Sequence, residues 1–224
     1  MVNTPAPESQ IAFNQGRAEA QTSRFEDDAA VRQQTIRMYG RLSALQDAVA
    51  ATNSVHVACQ TGCSYCCHLR VEIRPHEAFV LVHHIQTKLS AEQRTGVLLR
   101  IEQTLERIES LAPDQHVRAG IPCALLQEGV CSAYEARPAV CRKYHSVSVD
   151  TCRNAFEDPS APLTGDIEDE QVRMAGNAVA LGHAQGLDDA GYDVKLYELH
   201  HALHSALTNP KAGKRYRKGK RAFV

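Results

Sequence analysis

Four cysteines within nine residues, Cys59-Gln-Thr-Gly-Cys63-Ser-Tyr-Cys66-Cys67, constrain this chain more than any other feature. A single buried thiol packs as a small hydrophobe, but core packing does not call for four of them in one short stretch. Intervals of two or three residues let a turn fold neighbouring thiolates onto one centre, and thiolates bind soft or borderline metals. Gly62 sits where such a turn needs backbone freedom. Cys59, Cys63 and Cys66 are therefore expected to converge, with sulfurs roughly 4 Å apart, since zinc–sulfur bonds are about 2.3 Å. Cys67 stands apart, because adjacent residues seldom point at the same ion. Four more cysteines follow, Cys123, Cys131, Cys141 and Cys152, separated by 7 to 10 residues. That spacing is too wide for one tight knuckle. It suits donors on separate loops that fold over the first group, at least two of them as ligands.

Composition narrows the setting. No apolar run approaches the roughly 18 residues of a membrane span, so no membrane association is expected. The opening residues, MVNTPAPESQIAFNQ, lack the basic-then-apolar pattern of an export signal. A cytoplasmic location is the expectation, and there clustered cysteines are more often metal ligands or redox groups than disulfides. The formal net charge of −1 predicts no polyanionic partner by itself, yet it hides an asymmetry. Residues 211–221 carry seven bases and no acid, leaving 18 bases against 26 acids elsewhere. A segment that basic is expected to be disordered. It would offer phosphate contacts to a nucleic acid, or simply a solvated tail.

Residues 1–20 are polar and Pro-containing and read as a disordered lead-in. Residues 21–209 read as a single helical domain with its Cys-rich module at 55–155, and 210–224 as the basic disordered tail. Ser23-Arg24-Phe25-Glu26 has the capping-box pattern and should open a helix to about Ala51, with Met38, Leu42, Leu45 and Val49 on one face. Val71–Arg74 alternates as a short strand or extended entry. Pro75 suits the first turn of a helix bearing Ala78, Val82, Ile85 and Leu89. Ser90 and Gln93 cap a third helix with the stripe Leu98, Ile101, Leu105, Ile108. Residues 153–166 read as a loop, and Glu168–Gly182 and Asp193–Thr208 as two further helices. The fold class is mainly α: a helical scaffold around an irregular Cys-rich module.

The group C-x-x-x-C-x-x-C-C, then Pro122-Cys123, then Cys131-Ser132-Ala133-Tyr134-Glu135-Ala136-Arg137-Pro138-Ala139-Val140-Cys141-Arg142, resembles the YkgJ-type cysteine-cluster family. The resemblance covers roughly residues 55–155 and implies a zinc- or iron-chelating domain. It carries the ligand role onto Cys59, Cys63, Cys66, Cys67, Cys123, Cys131 and Cys141, with Cys152 extending the pattern. A more distant similarity reaches flagellin lysine N-methylases, which implies an iron–sulfur cluster and S-adenosylmethionine-dependent methyl transfer to a protein substrate. Arg137 and Arg142 are expected beside the thiolates, neutralising charge and donating N–H groups to sulfur. Pro138 would fix the turn presenting Cys141.

The metal stays open between zinc and an iron–sulfur cluster: eight cysteines would fill two zinc sites, and a cluster needs three or four thiolates. Cys59-x-x-x-Cys63-x-Tyr65-Cys66 has the radical S-adenosylmethionine spacing, but the chain lacks the strand–helix alternation of that barrel. The match therefore supports three-thiolate binding rather than that enzyme class. Three functions follow: a chelating or structural metal module, an iron–sulfur enzyme, and a nucleic-acid-associated protein using the basic tail. Of the eleven histidines, His68 and His145 lie nearest the cysteines and read as solvated or supporting groups rather than ligands. His200 and His204, four apart on one face, read as a surface or packed pair.

Overall fold

In the computed structural model, residues 7–60, 62–159 and 167–223 are described. The chain is mainly α. In order it forms α1 (Pro7–Gln21), α2 (Asp28–Thr52), a 3₁₀ turn (Tyr65–His68), β1 (Glu72–Ile73), α3 (Pro75–Lys88), α4 (Ala91–Ile108), α5 (Pro113–Arg118), β2 (Leu126–Gln127) and β3 (Val130–Cys131). A second 3₁₀ turn (Tyr134–Ala136) leads into α6 (Ala139–Lys143) and α7 (Val149–Glu157). The chain continues with α8 (Glu170–Asp189), β4 (Tyr197–Glu198), α9 (Leu199–Thr208) and α10 (Ala212–Arg217).

The apolar stripes meet where their periodicity directs them. Met38 and Leu42 of α2, Leu81 and Ile85 of α3, Ile101 of α4, Leu187 of α8 and Leu203 of α9 are all fully buried in one core. Ser90 caps α4 as its sequence indicates, accepting the Gln93 N–H while the Gln93 side chain accepts the Ser90 N–H at 2.8 Å. The first helix boundary shifts. Asp27 caps α2 by accepting the Ala30 N–H at 2.8 Å, whereas the Ser23 hydroxyl donates to buried Gln34. The last long helix, expected from Asp193, also starts later, at Leu199. Tyr197–Glu198 pairs antiparallel with Glu72–Ile73, and Glu198 then caps α9 by accepting the His200 and His201 N–H groups. Within 153–166, expected as a loop, α7 runs on to Glu157; residues 160–166 lie outside the described residues.

Both ends of the chain correct the sequence expectation. The lead-in, expected as disordered over 1–20, is helical from Pro7, and residues 1–6 lie outside the described residues. Helix α1 lies directly on α8. A Cβ added to Gly182 would fall 2.2 Å from the Phe13 carbonyl oxygen, and one added to Gly186 would fall 2.3 Å from that of Arg17. Contact this close is made backbone to backbone, with glycines in place of large apolar residues, so a hydrophobic stripe does not announce it. Arg17 completes the seam on Asp189 at 2.6 Å.

The C-terminal segment is likewise part of the core. Tyr216 is 0% exposed, packed against Phe25, Phe79 and Tyr192 with ring centroids 5.4–6.2 Å apart. Phe223 lies on Phe79 and Tyr197. Asp28 accepts Arg217 at 2.8 Å, and buried Asp193 accepts the Ala222 N–H at 2.9 Å. The charge count pointed to disorder because it weighed the bases and not the two aromatic anchors between and after them. Substitution Tyr216→Ala is expected to cost about 3–5 kcal/mol, the usual range for emptying a buried aromatic site, and truncation after Asn209 to cost more. Urea unfolding followed by circular dichroism checks this; an unchanged midpoint would return the segment to a passive tail.

Candidate metal centre

The first cysteine group is an irregular loop held at both ends by backbone hydrogen bonds. Ala58 donates to the Ser146 carbonyl at 2.7 Å, and the Cys59 sulfur accepts the Ser146 N–H at 3.2 Å. Cys63 closes a turn onto the Gln60 carbonyl, and Gly62 takes φ 88°, the left-handed region that favours glycine. Cys66 and Cys67 follow in the 3₁₀ turn. The Cys67 carbonyl then accepts the Cys123 N–H at 2.8 Å, which fastens the second group to the first.

The second group is presented by short, well-specified pieces. Strands β2 and β3 pair Leu126 with Cys131 and Gln127 with Val130. Their two-residue connection, Glu128-Gly129, has φ 51° and 77°, the pattern of a type I′ turn matched to strand twist. Pro138 precedes α6, which carries Cys141. Helix α7 carries Cys152, and its Phe156 packs on Tyr65 and His68 at centroid distances of 5.6 and 4.7 Å.

These pieces enclose a cavity of about 350 Å³ whose wall includes six thiols: Cys63, Cys66, Cys67, Cys123, Cys131 and Cys141. Leu81, Leu125 and Leu199 supply apolar wall, and Glu135 is the one carboxylate on it. Cys152 instead joins Cys66 on a smaller cavity of about 150 Å³ beside Tyr65, Tyr144 and Phe156. Cys59 is exposed. All eight thiols are free rather than disulfide-bonded. Among the described residues, no three Cys, His, Asp or Glu side chains are arranged to hold an ion as they stand. Six of the thiols thus share one enclosure without forming a closed set, and closing a shell requires side-chain movement into the cavity.

The electrostatics fit a cation. Burial pushes the Cys123 thiol up to about 12 and raises those of Cys131 and Cys141, the latter well above its usual range. Cys66 rises chiefly through its contact with the Cys67 thiol. Cys59, although exposed as a residue, rises through partial desolvation of its sulfur, against the pull of the Ser146 N–H. Left alone, these groups stay protonated at neutral pH. A metal ion supplies the charge that makes them thiolates, releasing protons as it binds. A donor set of soft sulfurs beside a single carboxylate fits zinc or iron and disfavours magnesium or calcium, which take oxygen ligands.

The two arginines divide. Arg137 lies on the cavity wall, stacked 3.5 Å over the Tyr134 ring, and its charge favours the thiolates of Cys66 and Cys131. Arg142 donates to the Glu135 carbonyl and sits 4.8 Å over the buried Tyr39 ring. His68 stays near its own turn, its Nδ1 3.1 Å from the Ser64 carbonyl. His145 accepts the Asp169 N–H through Nε2.

Two supports escaped the sequence reading. Glu77, 3% exposed, accepts the N–H of Arg74 at 2.9 Å and that of Ala139 at 2.7 Å. One carboxylate thereby joins the start of α3 to the start of α6, and it stands two residues after Pro75, the proline of the helix entry that could have marked it. The other is His200. It accepts the Ala124 N–H through Nε2 at 3.1 Å, which leaves Nδ1 protonated to donate to Glu198 at 2.7 Å. The residue after Cys123 is thus strapped to α9. His204 is not part of that strap.

Residues 58–161 match the profile of the CxxCxxCC family, described as "Putative zinc- or iron-chelating domain". This segment, just under half of the chain, is similar to that family's domain. The matched segment spans all eight cysteines. Between Cys59 and Cys63 it holds one residue more than the family's title pattern, in the interval where Gly62 turns the backbone. No protein of curated function and no solved structure matches the chain. No helix among the described residues is long and apolar enough to cross a membrane.

Glu77→Gln tests the brace between α3 and α6. An amide has one accepting oxygen, so one of the two backbone N–H groups would face an N–H₂ group. The expected cost is about 1–3 kcal/mol for a buried donor left unpaired, with faster hydrogen exchange at 138–143. Unchanged stability and exchange would show that α6 is held by other means.

Proposed function

We propose that the chain is a thiolate metal-binding protein whose cysteine cluster takes zinc or iron, the iron as an iron–sulfur cluster. The observation that carries this reading is the single cavity walled by six thiols from three separate stretches of chain, 63–67, 123–131 and Cys141. The role best supported is metal retention that orders its own surroundings. Strands of two residues and a five-residue helix cannot stabilise themselves by hydrogen bonding alone, and metal affinity is folding free energy for such a region. The ligands would come from the eight cysteines, with Arg137 offsetting the negative charge of the thiolates. Tyr134, 52% exposed, stands with Arg137 at the rim.

Anaerobic purification followed by elemental analysis tests the reading. Zinc or iron should co-purify in stoichiometric amount, colourless in the first case and brown in the second. Removal by a chelator should accelerate hydrogen exchange through residues 121–152 while the core of α2, α3 and α8 keeps its protection. Fully reduced protein that retains no metal, with exchange indifferent to chelator, would contradict it.

A further inference from the structure

Burying the two aromatics of the C-terminal segment turns its bases outward. Ala212 and Tyr216 of α10 face the core, one helical turn apart. Lys211, Lys214, Arg215 and Lys218 recur at the spacing of a single helix face, and the three lysines are exposed. The chain then doubles back. The Lys218 and Lys220 N–H groups both donate to the Arg215 carbonyl, at 3.1 and 3.0 Å, and the Arg215 Nε donates to the Arg221 carbonyl at 2.8 Å. Gly219 makes the turn at φ 65°, and a Cβ there would fall 2.7 Å from the Gly191 carbonyl oxygen, so the turn is seated against the end of α8. Lys220 and Arg221 therefore lie beside the stripe instead of trailing from it. Two bases of the segment meet carboxylates: Arg217 pairs with Asp28 at 2.8 Å, and Arg221 reaches Asp193 at 3.7 Å. Lys211, Lys214, Arg215, Lys218 and Lys220 form no ion pair among the described residues.

We infer that this ridge is a contact surface for the phosphate backbone of a nucleic-acid duplex, engaged without regard to base sequence and apart from the metal centre. Five unpaired cations held on an ordered surface lose less freedom on meeting a polyanion than the same charges on a loose tail. The partner follows from what the ridge lacks. A bilayer takes up apolar side chains at its interface, and unpaired bases stack on aromatic faces. Tyr216 and Phe223 are 0% and 6% exposed and serve neither. Charge alone is left, and charge alone matches a duplex, which presents one phosphate per ~3.4 Å of axis on each strand. From Lys211 to Lys218 the helix face runs about 10 Å at the usual rise of about 1.5 Å per residue, the length of about three phosphates on one strand. The rest of the chain, with 18 bases against 26 acids, is repelled by the same polyanion, which turns the ridge toward it.

Fluorescence anisotropy of the full chain as purified, with a labelled DNA duplex of about twenty base pairs and arbitrary sequence, tests the surface. Binding through five phosphate contacts should weaken about 500-fold between 50 and 200 mM NaCl, because log K falls against log salt by about 0.9 per contact. An unrelated duplex of equal length should compete equally, and an RNA duplex run beside the DNA shows which of the two supplies the phosphates. In Lys214→Glu/Lys218→Glu, binding should be weaker at every salt and its loss over the same range should shrink to about 40-fold, with helical circular dichroism and metal content unchanged. Arg94→Glu/Arg107→Glu makes the same change of net charge at exposed positions of α4 and should leave the salt dependence as it is. Absence of duplex binding at 50 mM NaCl would overturn the proposal. So would an equal loss in the two variants, or tighter binding to the single strand or to phosphatidylserine vesicles than to either duplex.

Discussion

Thiols that are buried together can ionise only if a positive charge comes with them. That constraint organises the middle of this chain. Burial and mutual proximity hold Cys66, Cys123, Cys131 and Cys141 in the protonated form, and Arg137 is the cation that the cavity wall itself supplies. One guanidinium cannot balance six thiolates. A metal ion adds the positive charge that lets the sulfurs around it ionise, and it gains a set of strong bonds in doing so. The unbalanced cavity is thus an argument about chemistry rather than only about shape.

The scaffold makes this arrangement durable by splitting the labour. Helices α2, α3, α4, α8 and α9 carry the apolar core, where burial supplies the stabilisation. The cysteine-bearing pieces contribute little apolar area and hang on polar fixings instead. Glu77 holds α6, His200 and Glu198 hold the Cys123 loop, and Ser146 holds Cys59. The first two fixings join a cysteine-bearing piece to the start of a core helix and the third joins two loops, so the pieces are gathered although the metal shell is not closed. Gly182 and Gly186 of α8 and the aromatic anchors of the C-terminus serve the same end from farther away, by fixing α1 and α10 around the bundle.

Much of this was readable in the sequence, for identifiable reasons. The stripes of α2, α3 and α4 were visible because large apolar residues recur at helical spacing and nothing else competes for them. The cysteine module was visible because thiols so clustered have few other uses. The ends were misread because their burial is carried by features that composition does not count. Helix α1 packs through Gly182 and Gly186 rather than through leucines, and α10 is anchored by Tyr216 amid seven bases. The supports were missed because Glu77 and His200 are polar residues on otherwise ordinary helices, and only the fold shows that they face backbone N–H groups sixty or more residues away. Arg137 and Arg142 looked alike in sequence, yet only Arg137 lies on the cavity wall.

The central claim is that sulfur, and not nitrogen or oxygen, surrounds the metal. X-ray absorption at the metal edge of the purified full-length protein measures that directly. A first shell dominated by sulfur at about 2.3 Å is the predicted result. A shell of nitrogen or oxygen at about 2.0–2.1 Å would place the metal away from the cysteine cavity and contradict the account.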